Sequence, residues 1–239
     1  YSFGKGSILI QLKNSSFGSE YDYSSISFSA INKNKIQKLK INTRAYAQFG
    51  SGDNWAPESK LMLAGANNEK LMDSKFTRAK GIVKDENVGF GDMTNHFHAH
   101  GGLNLRGYSG YLAPEFNENG TISSYGYSGT SGAAINTEID FTAYLPYELR
   151  KNRINAYIFA DAGVISSENL NTKNIEDAFS ELRADAGIGI TYTLTHFFPL
   201  ETVKPIVLRF DMPLFLNRPP AKDKDFLQMR WLVGINRAF

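Results

Sequence analysis

Apolar and polar residues alternate along most of this chain. The alternation is clearest at 35–49, where Leu39 and Ile41 fall on one face and Lys38 and Lys40 on the other. A period of two residues is typical of β-strands, because successive side chains point to opposite faces of a sheet. The same pattern predicts strands at 7–14, 21–31, 96–105, 135–142, 154–162, 182–194, 205–216 and 225–239.

The remaining region, 51–92, is less regular, with one strand or short helix expected near 60–64. No 3.6-residue periodicity is long enough to predict a major helix. We therefore expect an all-β, antiparallel chain with about nine or ten strands. Residues 1–239 are interpreted as one domain.

The predicted strands are joined by connections of unequal length. A long loop rich in Gly, Ser, Asn and Tyr is predicted at 109–130, a tight connection at 146–152 and a second long loop at 166–180. Loops of that length without structure of their own are uncommon and usually functional or disordered. Long loops at one end of a strand array and short turns at the other are typical of outer-membrane β-barrels.

The polar faces carry charges of both signs on successive strands: Glu138 and Asp140, then Asp161, then Arg183 and Asp185, then Arg209 and Asp211. Alternation alone also fits a soluble β-sandwich. Charges of opposite sign at similar depth, however, favour a lumen with internal ion pairs. Small apolar-face residues such as Ala156, Ala160 and Ala184 would leave a sandwich core underpacked. We therefore expect a transmembrane barrel with its apolar face toward lipid.

Composition narrows the class of protein. The chain has 239 residues, a net charge of +2 and no cysteine. This charge gives no reason to expect a nucleic-acid partner, and the cysteine count excludes disulfides and thiolate metal sites. No run of about 18 apolar residues exists, which excludes a transmembrane helix, whereas a spanning strand needs only about ten residues. The chain begins at Tyr1 without a visible signal peptide, so we expect a processed or excised piece of a longer protein.

Three histidines are the first candidates for chemistry. His96, His98 and His100 alternate along one predicted strand and would share a face. Same-face neighbours lie about 7 Å apart, too far for three imidazoles to bind one zinc ion without a bend. No His-Glu-x-x-His or Gly-x-Ser-x-Gly motif is present. Charge pairing in a lumen explains Asp140 and Asp161 more simply than acid–base catalysis, so we expect no catalytic residue, no cofactor and no metal.

Three motifs follow one another in the second half of the chain. Gly101-Gly102 precedes Leu105-Arg106-Gly107-Tyr108, Phe159-Ala160-Asp161-Ala162-Gly163 lies in a later predicted strand, and Gly234 stands five residues before the C-terminal Phe239. They resemble, in turn, the Arg-Gly-Phe/Tyr motif, the Phe-x-Asp-x-Gly strand motif and the C-terminal β-signal of the BamA/TamA/two-partner-secretion superfamily (bacterial surface antigen family) of outer-membrane assembly and translocation barrels. The resemblance covers about residues 95–239, and the five strands predicted after Tyr108 match that family's count.

The family's barrels have sixteen strands, more than the nine or ten predicted here. We therefore expect this chain to be the C-terminal part of such a barrel, with the earlier strands before residue 1; the alternative is a smaller barrel of eight or ten strands. The resemblance also implies that the loop carrying Arg106 folds back into the lumen, where a buried guanidinium needs a carboxylate. The family pattern places that carboxylate at Asp161. The alternative partners in the lumen are Glu138, Asp140 and Asp185.

The resemblance also assigns roles to the neighbouring motif residues. Gly107 would allow the backbone to turn tightly, and Tyr108 would pack against the lumen wall. Arg237 departs from the apolar residue usual at its place in the β-signal. We expect it near the lipid–water interface, where a charge costs about 0–1 kcal/mol.

The function implied is the insertion or export of other outer-membrane proteins, without bond chemistry. The first and last barrel strands would form a weak seam, and a client strand would add to the exposed edge by backbone hydrogen bonds. The last predicted strand, 225–239, would be half of that seam. The implied partners are the outer-membrane bilayer with its lipopolysaccharide, client outer-membrane proteins and accessory lipoproteins.

Two other functions fit the same sequence. Some barrels of this superfamily resemble membrane anchors fused after a soluble hydrolase, such as a peptidase, a patatin-like lipase or a phosphatase, whose active site would lie before residue 1. The sequence preceding residue 1 would separate this alternative from assembly. A passive pore is the third, and it predicts steady conductance that does not depend on a client.

Overall fold

The computed structural model describes residues 4–15, 18–73, 77, 96–116, 119–120, 122–166, 179–194, 205–219 and 225–239. Most of the second predicted loop, at 166–180, lies outside the described residues. In the described part of the chain, no helix is both long and apolar enough to cross a bilayer.

Antiparallel strands account for most of the described structure. In chain order they are β1 (Lys5–Asn14), β2 (Asp22–Ile36), β3 (Leu39–Asn54), β4 (Leu61–Met62), β5 (Pro114–Phe116), β6 (Ile122–Tyr125), β7 (Ser128–Gly129), β8 (Gly132–Asp140), β9 (Ile154–Ile165), β10 (Arg183–Leu194), β11 (Ile206–Leu216) and β12 (Leu232–Ile235). Two short helices are present, α1 (Asn68–Asp73) and α2 (Tyr147–Lys151). The predicted all-β, antiparallel class is confirmed.

One eight-stranded sheet dominates the fold. Its strand order is β1-β2-β3-β8-β9-β10-β11-β12, so β1 and β12 lie at its two edges. Strands β4 and β7 form one two-stranded antiparallel sheet, and β5 and β6 form another. The main sheet contains five strands after Tyr108, as predicted. Three long strands precede that residue, together with the short β4.

The predicted strand at 96–105 is wrong. The segment is irregular, with a single bridge at Phe97 and a turn around Gly102. The backbone φ angles of Gly101, Gly102 and Asn104 are 152°, 52° and 62°, values that a regular strand cannot contain. The predicted loop at 109–130 is not structureless either, because it includes β5, β6 and β7.

The two faces of the sheet differ sharply from β3 to β12. We call the inner face the side that contacts the segment 96–116, and the outer face the opposite side. The inner face carries buried polar side chains, including Arg44, Asn136, Glu138, Asp140, Asp161, Arg183, Asp185, Arg209 and Asp211. The outer face carries exposed apolar side chains, including Ile135, Ile158, Ile188, Ile190, Tyr192 and Leu208.

A small apolar cluster joins the inner face to the segment 96–116. Leu103 and Leu105 of that segment are fully buried against Ala134 of β8, Ile165 of β9 and Leu216 of β11. Burying these side chains stabilises the fold by roughly 25 cal/mol for each Å² of apolar surface removed from water. This cluster holds the segment on the inner face and thereby places Arg106 among the inner-face charges.

Candidate functional site

The Arg-Gly-Tyr tripeptide forms one turn of 3-10 helix, Arg106–Tyr108, and all three residues are buried. Leu105 precedes the turn with an extended backbone, and the Ser109 N–H closes the turn by donating to the Arg106 carbonyl. The turn lies where the segment 96–116 crosses β9, β10 and β11. The tripeptide is therefore a fixed element on the inner face rather than part of an exposed loop.

The Arg106 guanidinium binds two carboxylates. Its Nε and Nη2 donate to the two oxygens of Asp161 at 2.8 and 3.0 Å, and its Nη1 donates to Glu138 at 2.7 Å. Arg106 is 0% exposed. Burial alone would lower the pKa of Arg106, but Asp161 and Glu138 hold it well above its ordinary value. The structure thus pairs Arg106 with the carboxylate predicted from the sequence, and adds one of the alternative partners as a second ligand.

The residues of the Phe-x-Asp-x-Gly motif all contact the segment that carries Arg106. The ring of Phe159 lies 3.8 Å from the Arg106 Cζ, a cation–π contact. Asp161 supplies the bidentate carboxylate. A β-carbon on Gly163 would come within 3.1 Å of a Leu105 methyl group. Residues 159, 161 and 163 lie on one face, because successive side chains of β9 point to opposite faces. The motif therefore supplies an aromatic ring and a carboxylate for Arg106, and a glycine that leaves room for Leu105.

A chain of hydrogen bonds extends this ion pair to β3. Asn136 donates to Asp161 at 3.1 Å and accepts from Arg44 at 2.9 Å. The second terminal nitrogen of Arg44 donates to the Gly102 carbonyl at 2.8 Å. Neither Arg44 nor Asn136 was predicted as a site residue, although both lie on the polar face that alternation gives to their strands.

Four arginines in or near the main sheet bind the backbone of the segment 98–113, a role that the sequence did not predict. Each donates to a main-chain carbonyl of the segment 98–113, and the pairs are Arg44 with Gly102, Arg183 with Ala113, Arg209 with His98 and Arg230 with Gly107. An irregular segment leaves carbonyls without ladder partners, and a buried unpaired carbonyl is costly. The arginines satisfy these groups and hold the segment on the inner face.

Asp185 does not bind the Arg106 guanidinium, unlike Glu138. It lies directly opposite Asp161 in the β9–β10 pair and faces Gly107. A β-carbon on Gly107 would lie 2.5 Å from the Asp185 Cβ and 2.8 Å from its Cγ. The glycine is therefore required by the close approach of the 3-10 turn to β10.

Tyr108 packs on the inner face and anchors the end of β11. Its hydroxyl donates to the Asn217 side chain at 2.8 Å and accepts from the Arg218 N–H at 3.2 Å. Arg183 lies over its ring, with 5.4 Å between Cζ and the ring centroid. Burial raises the pKa of Tyr108 to about 12, so the hydroxyl stays protonated and remains a donor.

The three alternating histidines contact three different groups. The His96 ring stacks on Trp231, His98 accepts a hydrogen bond from Arg209, and His100 lies near Lys70. Burial and Arg209 lower the pKa of His98 well below its ordinary value, so the ring is neutral. Burial and Lys70 lower the pKa of His100 to about 4. The expectation that these side chains share one strand face is wrong, because the backbone there is not a strand.

The C-terminal residues turn toward the inner face after β12. Arg237 pairs with Asp140 at 2.9 Å, and Asn104 donates to the Ala238 carbonyl at 3.5 Å. Arg237 therefore faces the inner side of the sheet, and Asp140, an alternative partner for Arg106, binds Arg237 instead. Phe239 is half-buried at the end of this turn.

Replacing Gly107 by alanine tests the close approach to β10. The added methyl group must displace either the 3-10 turn or Asp185, so we expect Gly107→Ala to lower the free energy of unfolding by about 1–3 kcal/mol. The measurement is urea unfolding of the folded protein. Gly126→Ala is the matched control, since its nearest contact would be 3.2 Å. Equal losses in the two variants would contradict the steric role of Gly107.

No protein-family model matches the chain, and no curated protein sequence matches it. The candidate site is therefore identified from the side-chain geometry around Arg106. In the described part of the chain, no three His, Cys, Asp or Glu side chains are grouped to hold a metal ion. The arrangement around Arg106 is an ion-pair network that fixes an irregular segment against a sheet.

Proposed function

We propose that this chain is the C-terminal part of an outer-membrane β-barrel that inserts or exports other outer-membrane proteins. The observation that carries the proposal is the inner-face network of Arg106, Asp161 and Glu138, opposite an outer face of exposed isoleucines. A soluble sheet buries its apolar face and wets its polar face. A transmembrane barrel reverses this arrangement, with apolar residues toward lipid and polar residues toward the lumen.

The folded-in segment supports the assembly and translocation type of barrel. Non-helical backbone at membrane depth is tolerated only where protein or a water-filled cavity surrounds it. The segment 96–116 meets that condition, because Arg106 is paired and six carbonyls of the segment accept from arginines. The Arg-Gly-Tyr and Phe-x-Asp-x-Gly motifs, which resemble those of the superfamily, meet at this point.

In the proposed mechanism the inner-face network keeps the barrel shape while the edges exchange strands. The barrel has sixteen strands, and β12 forms one side of a lateral seam. A client strand pairs with the seam by backbone hydrogen bonds, then passes into lipid. The chain's own residues supply shape and an edge, and no covalent bond is formed or broken.

Assembly in vesicles tests this function. The full-length protein, with the strands proposed to precede residue 1, is reconstituted into phospholipid vesicles, and a urea-unfolded eight-stranded outer-membrane protein is added as the client. We expect the client to become protease-resistant at least about tenfold faster than in empty vesicles, a barrier lowered by about 1.4 kcal/mol. The readout is the band of folded client after digestion.

A control variant and a site variant separate an assembly function from an anchoring one. Arg150→Ala changes an exposed arginine of α2 and should assemble the client at the unchanged rate. Arg106→Ala removes the centre of the network and should slow assembly. A protein that inserts into vesicles and never accelerates the client contradicts an assembly function and supports an anchoring barrel.

A further inference from the structure

The outer edge of β12 is already occupied by the chain itself. We call residues His96–His98 the edge segment. Its His98 N–H donates to the Val233 carbonyl at 2.8 Å, and the Val233 N–H donates to the His96 carbonyl at 2.8 Å. The pairing of Phe97 with Val233 is parallel, whereas the named strands of the described sheets pair antiparallel. The edge segment therefore stands where a further strand of the sheet would stand.

Side chains hold the edge segment at both ends. The His96 ring stacks on Trp231, with centroids 3.7 Å apart and planes within 3° of parallel, and its Nδ1 bonds the Trp231 carbonyl at 2.8 Å. At the other end, Arg209 donates to the His98 carbonyl at 3.2 Å. The edge segment therefore already binds the Trp231 carbonyl and both backbone groups of Val233.

Gly234 shows that the edge segment fits β12 closely. A β-carbon at that position would come within 2.7 Å of the His98 carbonyl oxygen and 2.8 Å of an Arg209 guanidinium nitrogen. This glycine belongs to the C-terminal pattern that resembles the β-signal. Its structural role here is to leave room for the edge segment and the arginine that holds it.

We infer that the edge segment is a reversible cap on β12, which must detach before a client strand can pair with that edge. The inference rests on the proposed function. The single N–H of Val233 already donates to His96, and the edge segment fills the place beside β12, so the cap and the client compete for the same edge. Among the described residues, the cap makes two backbone hydrogen bonds to β12, whereas an added strand along the whole edge makes more. Displacement by a client is therefore favourable, and resting protein is protected against edge-to-edge pairing.

A disulfide lock tests the cap. This chain has no cysteine, so Phe97→Cys with Val233→Cys introduces the only two thiols in residues 1–239, and any cysteine outside them is replaced by serine. Neighbouring strands lie about 4.8 Å apart, within the Cα–Cα range of roughly 4.4–6.8 Å that a disulfide spans. We expect the oxidised variant to assemble the urea-unfolded client at least about tenfold slower than the same variant after reduction.

The matched control places a disulfide inside the sheet. Ala160 and Ala186 are direct partners in the β9–β10 pair, and Ala160→Cys with Ala186→Cys locks that pair without touching the β12 edge. We expect oxidation of this control to leave client assembly unchanged. Slowing in both variants would show a general loss of sheet flexibility and would overturn the cap.

A client-free measurement separates the cap from the function. In the single variant Phe97→Cys, the thiol is only half-buried and should react faster with a bulky maleimide when the edge segment detaches. Adding His96→Ala should speed labelling about tenfold by removing the ring stack and the Nδ1 bond. If oxidised and reduced forms of the locked variant assemble the client equally fast, the cap is wrong and the assembly function stands. If labelling responds to His96→Ala but neither wild type nor reduced protein assembles any client, the assembly function fails and the role of the cap in it fails too.

Discussion

Replacing Arg106 by alanine is expected to lower the free energy of unfolding by about 3–5 kcal/mol, because it leaves two buried carboxylates without their cation. Asp161 and Glu138 are 2% and 1% exposed, so water cannot take over the role of the guanidinium. The change also removes the cation–π contact with Phe159. Urea unfolding of the protein folded in detergent micelles or vesicles measures the loss, and Arg150→Ala should change stability by less than about 0.5 kcal/mol.

Charge reversal tests whether the pairing of Arg106 with Asp161 stabilises the fold. Arg106→Asp should destabilise the fold more than Arg106→Ala, since it adds a third negative charge beside Asp161 and Glu138. Adding Asp161→Arg should restore part of the loss, because the two changed residues can pair again. Recovery stays partial because Glu138 then faces the aspartate at position 106. A double variant no more stable than Arg106→Asp alone would contradict a stabilising role for the Arg106–Asp161 pair.

The strands of the main sheet were predictable where both faces are specified. In β3 and β8 to β10, a polar face meets the folded-in segment and an apolar face points outward, so the two-residue period is uninterrupted. In β11 the period holds from Arg209 to Pro213 and is then broken by a register shift against β10. Strand β12 was overpredicted, since 225–239 holds only a four-residue strand. The chain leaves the ladder there because Arg237 turns inward to pair with Asp140.

The segment 96–105 was mispredicted for a physical reason. Its alternating histidines imitate a strand, and nothing local to the segment reveals otherwise except the Gly101-Gly102 pair. The groups that stabilise its irregular backbone come from distant strands: Arg44 of β3 lies 58 residues before Gly102, and Arg209 of β11 lies 111 residues after His98. Single-sequence patterns carry no information on such pairings.

The candidate site was predictable only in part. The resemblance supplied the Arg106–Asp161 pair, because both residues belong to recognisable motifs. Glu138 was one of three alternatives, and the pattern of charges could not rank them, since Glu138, Asp140 and Asp185 all fall on polar faces. Their different partners are decided by position along the strands. Glu138 faces the Arg106 guanidinium, Asp140 faces the C-terminal turn and Asp185 faces Gly107.

A lysine placed on the outer face is expected to distinguish lipid from water on that face. Ile158 is 45% exposed and is the cross-strand partner of both Ile139 and Ile188, so it lies within an apolar row across β8, β9 and β10. If this row faces the middle of a bilayer, Ile158→Lys should lower the free energy of unfolding in vesicles by about 2–4 kcal/mol. If the row faces water, the same change should alter stability by less than about 0.5 kcal/mol.

A second lysine, placed beyond the ends of the strands, is the matched control for Ile158→Lys. Leu149 of α2 is 39% exposed and lies in the connection between β8 and β9, beyond the ends of both strands. A charge near the interface costs about 0–1 kcal/mol, so Leu149→Lys should be nearly neutral in the same vesicles. The difference between the two lysines, rather than either value alone, reports burial in hydrocarbon, because strand propensity at Ile158, helix propensity at Leu149 and side-chain entropy each contribute about 1 kcal/mol or less.

Cysteine labelling makes the same distinction without disturbing the fold. Ile158→Cys introduces the only thiol of the chain, and a water-soluble maleimide should leave it largely unreacted in vesicles while labelling Leu149→Cys. Equal labelling of both thiols, together with a neutral Ile158→Lys, would mean that the outer face is wet. The buried charges around Arg106 would then stabilise a soluble sheet with an unusual polar core, and neither the barrel nor its seam would follow from them.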